Sequence, residues 1–394
     1  MTQNPSSTEK SKTSPNPSQA QAAHYAQLGP QTLKLTQPLE ELTADLLNIY
    51  SVSGAEARLA DAVQAALEDI AGLEITRDGD AIIARTNLGR DTRIVLAGHL
   101  DTVPLPSTEG SLGTVPATWA EEAGQRVLYG RGAVDMKGGV AVQLALAASL
   151  KDPRYDITYV FYDNEEVASD LSGLARLMRN HRQKLTDAAF AVLLEPTDGT
   201  IEGGCNGTIR FWIRTSGLAA HSGRAWKGEN AIHKMADVLG RLAAYQPQTY
   251  EVEGLAYREG LNAVQISGGV AGNVIPDAAG VHINYRFAPN KTLEQAVAHL
   301  QEVFAGYELD FVDLSSAARP GLDAPLTRSL IESVGQEPKP KYGWTDVARF
   351  SEIGIPAVNF GPGDALLAHT DNEHVKVAEL QACYRALEGW LTAP

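Results

Sequence analysis

The chain has 394 residues, 44% of them hydrophobic, with 48 acidic against 33 basic side chains and a net charge of −15. That apolar content excludes a wholly disordered chain, and the acidic balance excludes nucleic acid or an anionic membrane as the main partner, since both call for a basic footprint. Two cysteines far apart in sequence, Cys205 and Cys383, exclude a disulfide framework and a thiolate zinc site and fit a reducing cytosol. Residues 1–35 are rich in Ser, Pro, Gln and Thr and lack the apolar core of a signal peptide, so disorder is expected there. Apolar spacing predicts helices over 39–50 and 55–67. Strands are expected over 74–77, 81–85 and 93–98, and GRGAVDMKGG (130–139) opens a buried helix running to 150. The longest apolar run, 140–150, is too short to span a bilayer. A cytoplasmic protein without a membrane partner is the expectation. The runs 157–162 and 188–194 are apolar on both faces, as in a parallel sheet buried by helices.

The pattern then changes. Residues 208–215 alternate polar and apolar, a helix is predicted over 230–245, and strand runs follow at 262–267 and 280–287. A helix over 293–304 and a strand over 308–314 complete a ferredoxin-like βαββαβ order of about 110 residues, a plausible domain by size. After Ala317-Ala318-Arg319-Pro320 the α/β pattern returns, with a buried strand over 356–360 and a closing helix over 378–392. The expected fold class is α/β. Its catalytic domain, with a mixed, largely parallel sheet, would be built from 36–206 and 318–394. The α+β unit 207–317 would interrupt it as a lid or dimerisation domain.

Four of the buried strands run into residues that a divalent metal would take. The strand at 93–98 is followed by His99 and, two residues on, Asp101; side chains two apart lean to the same side of an extended chain. The run 157–162 leads to Asp163-Asn164-Glu165-Glu166, the run 188–194 to Glu195, and the strand at 356–360 to His369 in LLAHTDNEH. Asp135 lies in the glycine-rich turn. In open α/β sheets ligands bind beyond the carboxyl ends of the strands, so these segments can converge on one crevice. Two histidines with several carboxylates and no thiolate is the donor mix of a catalytic metal site, and the surplus of carboxylates suggests two ions sharing Asp135. Singly, each residue has a plainer reading: Asp135 as a helix cap, Glu165 and Glu166 as a solvated loop, Glu195 as a strand end. Their joint placement favours the metal.

GHLDTVP, GRGAVDMKGG, DNEE, LLEPTDG, AAHSGR and GPGDALLAHTDNEH, in this order, resemble the co-catalytic zinc metallopeptidase family of carboxypeptidases, aminoacylases and succinyl-diaminopimelate desuccinylases. LLEPTDGTIEGGCNGTIR, HSGRAWKGENAIHK and WTDVARFSEIGIPAVNFGPGD resemble its actinobacterial desuccinylase branch. The resemblance implies two Zn²⁺ per subunit, with Co²⁺ able to substitute. His99 and Glu195 would hold one, Glu166 and His369 the other, with Asp135 bridging and Asp101 orienting His99. Glu165 would be the general base and acid, and a cis peptide would follow Asp135. His221 would reach into the site, often from a partner subunit, which implies a homodimer through the inserted unit; a lone histidine is more often surface decoration, but AAHSGR favours the role. For a small anionic substrate the candidates are Arg224, Arg286 and Arg349, with Thr345, Asn273 and Gly361; each arginine could equally be a surface charge. Other desuccinylases carry two arginines where this chain has Cys205-Asn206, and Arg210 or Arg224 would compensate. Cys205 is read as a small buried residue. His24, His181, His233, His282, His299 and His374 are read as structural or solvent-exposed. The implied reaction is hydrolysis of N-succinyl-LL-2,6-diaminopimelate to succinate and LL-2,6-diaminopimelate, in lysine and cell-wall synthesis. The alternatives are another N-acyl-amino-acid deacylase or a metallo-carboxypeptidase. From a different class comes an inactive binding protein of this fold, against which the complete ligand set and Glu165 speak.

Overall fold

The computed structural model describes Tyr25 and residues 28–393. Most of the expected disordered tail, and with it His24, lies outside the described residues. The last stretch of that tail is described: Leu33 is buried, and Arg58 donates to the Gly29 carbonyl at 2.9 Å.

The largest sheet has eight strands in the order Glu74–Asp78, Ala81–Arg85, Asp156–Tyr162, Arg93–His99, Phe190–Leu193, Ala357–Asn359, Glu202–Gly203 and Lys339–Pro340. The four strands from Asp156–Tyr162 to Ala357–Asn359 are parallel, while antiparallel pairings flank them on both sides. Unbroken apolar runs such as Ile94–Val95–Leu96–Ala97 suit this position, because helices cover both faces of a parallel core. The helix Lys137–Ser149 is apolar all round and correspondingly buried, packed among Leu39–Asn48, Ala57–Glu68 and Val377–Thr392. A Cβ on Gly139 would stand 2.1 Å from the Leu194 carbonyl oxygen, so only glycine lets this helix lie on the chain leading to Glu195. On the opposite face Gly173–Asn180 and Val347–Glu352 cover the sheet. These two helices and Pro325–Val334 are elements beyond the sequence expectations.

The βαββαβ order over 207–315 is present, and its four strands form a separate antiparallel sheet in the order Gly260–Gly268, Ala278–Phe287, Gly207–Ser216, Asp310–Ser315. Alternation sorts Gly207–Ser216 cleanly. Ile209, Phe211 and Ile213 pack under the helices Ala231–Ala244 and Leu293–Val303, while Arg210, Trp212 and Arg214 face away. Gly260–Gly268 is an edge strand, and Val264 and Ile266 on it are exposed together with Ile232 and Leu239 on the neighbouring helix.

Two hairpins escaped the sequence reading. Thr118–Glu122 pairs with Gln125–Tyr129, which also pairs with His374–Lys376; Thr249–Val252 pairs with Leu255–Arg258. Their turns are Ala123-Gly124 and Glu253-Gly254, all four residues at positive φ, the conformation of a type I′ turn. Alanine and glutamate at such positions are a weak signal compared with asparagine or aspartate, and Thr118–Glu122 is too exposed to show a core-facing alternation.

Candidate metal centre

His99 closes its strand, and the parallel register sets it beside Tyr162 of the adjacent strand. The chain leaving Tyr162 therefore delivers Glu165 and Glu166 next to the imidazole. On the other side, Phe190–Leu193 ends two residues before Glu195. A Cβ on Gly361 would stand 2.4 Å from the carbonyl oxygens of both Leu194 and Glu195, so glycine there lets the fourth segment pass tightly over this one. Asp135 immediately precedes the buried helix, and its peptide bond to Met136 is cis, as the resemblance implies.

The side chains converge as two sets sharing one carboxylate. Asp135 Oδ1 is 3.0 Å from His99 Nε2, and Asp135 Oδ2 is 3.3 Å from His369 Nε2. Glu195 Oε1 lies 4.0 Å from His99 Nε2, and Glu166 Oε1 lies 2.9 Å from His369 Nε2. His99–Asp135–Glu195 and Asp135–Glu166–His369 each place their ligand atoms within 4.8 Å of one another; His99, Glu165 and Glu166 do so as well. The first two sets group the residues expected from the sequence, with Asp135 common to both; the third was not expected.

The electrostatics fit divalent cations. Burial, reinforced by the Asp135 charge, pushes Glu195 up to about 8. Burial raises Glu165 well above the carboxylate range despite His99, with Asp346 and Glu195 adding to the rise, and burial also raises Glu166. Hydrogen bonds to Asp135 and Glu166 raise His369 to about 10, and Asp135 is held low by His369 and His99 in spite of its burial. Without a cation Glu195 and His369 hold protons at neutral pH that ligation would release, since a metal ligand must be deprotonated. Nitrogen and oxygen donors with no sulfur are the donor mix of a catalytic divalent-metal site.

Asp101 faces His99 as expected and does more besides. His99 Nδ1 is 3.0 Å from the backbone oxygen of Asp101 and 3.5 Å from its carboxylate. The carboxylate also accepts the backbone N–H groups of Glu165 and Glu166 at 3.0 and 3.1 Å and the Ser53 hydroxyl at 2.7 Å. Asp101 thus aims the imidazole with its main chain and the Glu165–Glu166 turn with its side chain. Glu56, which the sequence reading passed over, accepts the Asn164 N–H of the same turn at 3.1 Å. Asp346, buried beside Glu165, was missed as well. Only the S-G-A-E stretch closing on a helix start could have drawn attention to Glu56.

Glu165, Glu166 and His369 open onto a cleft of about 1240 Å³ whose far wall is the inserted unit's sheet: Thr208, Arg210, His282 and Arg286. Arg286 is half-buried, and burial together with the Arg210 charge beside it lowers its proton affinity. Among the described residues it makes no ion pair with a carboxylate, while Arg210 lies 3.6 Å from Asp313. Arg349 also lines the cleft, bonded to Asp346 at 2.6 Å and Ser169 Oγ at 2.9 Å. Thr345 is buried and donates to Asn359 at 3.1 Å; Gly361 N–H donates to Thr197 Oγ1 at 3.1 Å. Cys205 is buried, and Asn206 is tied to the Arg258 carbonyl at 2.9 Å. His282, read as structural, stacks on Trp212 and lines the cleft. His221, Arg224 and Asn273 are not among the described residues lining it. They gather on the inserted unit, where His221 pairs with Val274 and Ser222 N–H donates to the Asn273 carbonyl at 2.9 Å.

Residues 95–393 match the model of peptidase family M20/M25/M40. The chain belongs to this family. It is 49% identical over 354 residues to a putative succinyl-diaminopimelate desuccinylase of Mycobacterium tuberculosis, covering 89% of this chain and 97% of that one. Identity is 41% over 362 residues to the succinyl-diaminopimelate desuccinylase of Corynebacterium glutamicum, with 89% and 95% covered. Among solved structures, an M20 metallo-carboxypeptidase of Sulfolobus solfataricus superposes with a TM-score of 0.73 at 18% identity, over 90% of this chain and 99% of that one. A dinuclear metal-binding peptidase of Bacillus subtilis gives 0.64 at 17%, over 90% and 96%. At that identity these two speak for the fold. Among the described residues no helix is long and apolar enough to cross a membrane.

Proposed function

We propose that this protein is a dizinc amide hydrolase of the cytoplasm that cleaves N-succinyl-LL-2,6-diaminopimelate to succinate and LL-2,6-diaminopimelate. The observation that carries the chemistry is Asp135, whose two oxygens face His99 and His369 within an otherwise complete pair of ligand sets. His99, Asp135 and Glu195 would hold one ion, and Asp135, Glu166 and His369 the other. When bound, such ions supply Lewis-acid polarisation of the amide carbonyl and make water more acidic. Glu165 takes the proton of the attacking water as its oxygen bonds to the carbonyl carbon, then gives that proton to the nitrogen as the carbon–nitrogen bond breaks. It stands beside His99 and Glu166, within reach of the reacting water and the leaving nitrogen.

Substrate class is supported by the desuccinylase relatives and by the cleft wall. Arg286, without a carboxylate partner among the described residues, and Arg210 beside it are set to bind the substrate's carboxylates by guanidinium forks. Arg210 stands in for the arginines missing at Cys205-Asn206; Arg224 lies away from the cleft. Unit 207–317 acts as lid and dimerisation domain between the catalytic segments 36–206 and 318–394. Its unpaired edge strand and exposed Val264, Ile266, Ile232 and Leu239 suit pairing with a second copy. His221, remote from its own cleft, then serves the partner's site by donating to the tetrahedral oxyanion. The test is succinate release from a panel of N-acyl amino acids and C-terminal peptides, before and after chelation and after adding Zn²⁺ or Co²⁺. Metal-dependent turnover of N-succinyl-diaminopimelate above all others is expected. Preference for a peptide overturns the substrate, and full activity after metal removal overturns the chemistry.

A further inference from the structure

We infer that Glu373 is a positioning residue for the metal centre, acting through the main chain of the bridging Asp135; the inference rests on the metal reading above. Glu373 is fully buried. Its Oε1 accepts two successive backbone donors, Val134 N–H at 3.1 Å and Asp135 N–H at 3.2 Å. Its Oε2 accepts Arg131 Nη1 at 2.7 Å, and the same nitrogen donates at 3.1 Å to the carbonyl of Thr370, the residue after His369. Main-chain bonds close the arrangement. Gly130 N–H donates to the Glu373 carbonyl at 3.1 Å, and Gly113 N–H to that of Asp371 at 2.8 Å. One carboxylate thus locks the turn that carries the bridging ligand to the loop that carries His369.

The physical reason for a carboxylate here is the pair of adjacent N–H groups. They lie at the foot of the buried helix, outside its own hydrogen-bond ladder, and point at one oxygen, as in an anion-binding nest. With that oxygen in place the peptide entering Asp135 cannot rotate. Asp135 must face two imidazoles at once, and such a constellation tolerates displacements of only about 0.5 Å. Arg131 neutralises the carboxylate so that it can be buried, and holds the His369 loop with the same group.

A buried ion pair can often be replaced by apolar side chains of similar size without loss of fold, which makes the test possible. Two double variants are compared with the native protein, R131M/E373Q, which keeps an oxygen for the two amides, and R131M/E373L, which does not. Zn²⁺ affinity is read by competition with a chromogenic chelator, the Co²⁺ absorption spectrum reports ligand geometry, and thermal unfolding checks the fold. The Gln pair is expected to bind two ions within about threefold of native affinity, and the Leu pair to lose about 10- to 100-fold for both ions with an altered Co²⁺ spectrum, the usual scale for a residue behind a ligand. Native affinity and spectrum in the Leu pair overturn the inference, as does an equal loss in both pairs. Should the Leu pair not fold, Glu373→Asp decides: it keeps a charge for Arg131 but draws the oxygen back by one methylene, so a tenfold or larger loss is expected, and unchanged affinity overturns the role. A native protein that binds no divalent ion overturns the metal reading together with this one.

Discussion

The two walls of the cleft carry opposite charges under opposite conditions. On the catalytic side, Asp135, Glu165, Glu166 and Glu195 crowd around His99 and His369, and the buried Asp101 holds the Glu165–Glu166 turn by its backbone N–H groups. On the facing sheet, Arg210 and Arg286 sit on neighbouring strands, half-buried or exposed, with Asp313 as a loose partner of Arg210. Burial raises Glu165, Glu166 and Glu195 toward the neutral acid, a cost that cations relieve, whereas a guanidinium keeps its charge in either setting. The first wall therefore suits metal, and in the function proposed above the second takes the substrate's anionic groups. A net charge of −15 conceals this division, because it averages over a surface the substrate never meets.

The comparison breaks most sharply if the two walls do not work together. Glu165→Gln should keep both metals and lose about 10²- to 10⁴-fold in turnover, the range for an acid–base group. His221→Ala should keep them too and lose about 10²- to 10³-fold, the scale of one oxyanion donor. Mixing the two inactive proteins under subunit exchange should restore activity, since a heterodimer contains one site with neither defect. No recovery despite verified exchange would place His221 within its own chain's chemistry or outside it altogether.

A smaller effect sharpens the second wall. Arg286→Met and Arg210→Met should each raise KM for the succinylated substrate by about 10- to 100-fold, as expected for losing a charge-assisted bond, with kcat changed far less. A fall in kcat at constant KM would show that these arginines serve the reaction and not the binding of the anion.

The smallest effect concerns Glu56, a carboxylate of the first wall that binds no metal. Burial, helped by the Asp101 charge, pushes it up to about 7 from an ordinary 4.5. Its folded-state affinity for the proton exceeds that of the unfolded chain. The stability it contributes is therefore present below about pH 4.5 and lost as pH rises to about 7. Across that window the metal-free native protein should lose on the order of 3 kcal/mol more than Glu56→Gln, measured by urea unfolding at each pH. Parallel curves would mean that Glu56 is charged throughout.

Much of this could be read from the chain without coordinates. Uninterrupted apolar runs located the central strands within a residue or two, because a strand buried on both faces has no room for a polar side chain. Each metal-ligand candidate stood just past such a run or in the glycine-rich turn, and strand ends of parallel sheets face one way, so their convergence followed from order alone. What stayed hidden was everything set by contacts between distant segments. Asp101 was legible as a partner for His99, but not that its carboxylate also serves the amides of residues 165 and 166, some 64 positions away. Glu56 and Glu373 drew no reading of their own because nothing local marks a carboxylate whose partners are backbone N–H groups of another loop. The hairpin at 118–129 offered only the short buried run Val127–Tyr129 beside an exposed partner strand, too little to betray it. Which of the many arginines meet across a cleft was likewise decided by how two sheets face each other, and only the assembled chain determines that. Local periodicity and residue chemistry are properties of a segment; hydrogen-bond partners and electrostatic neighbours belong to the packed whole.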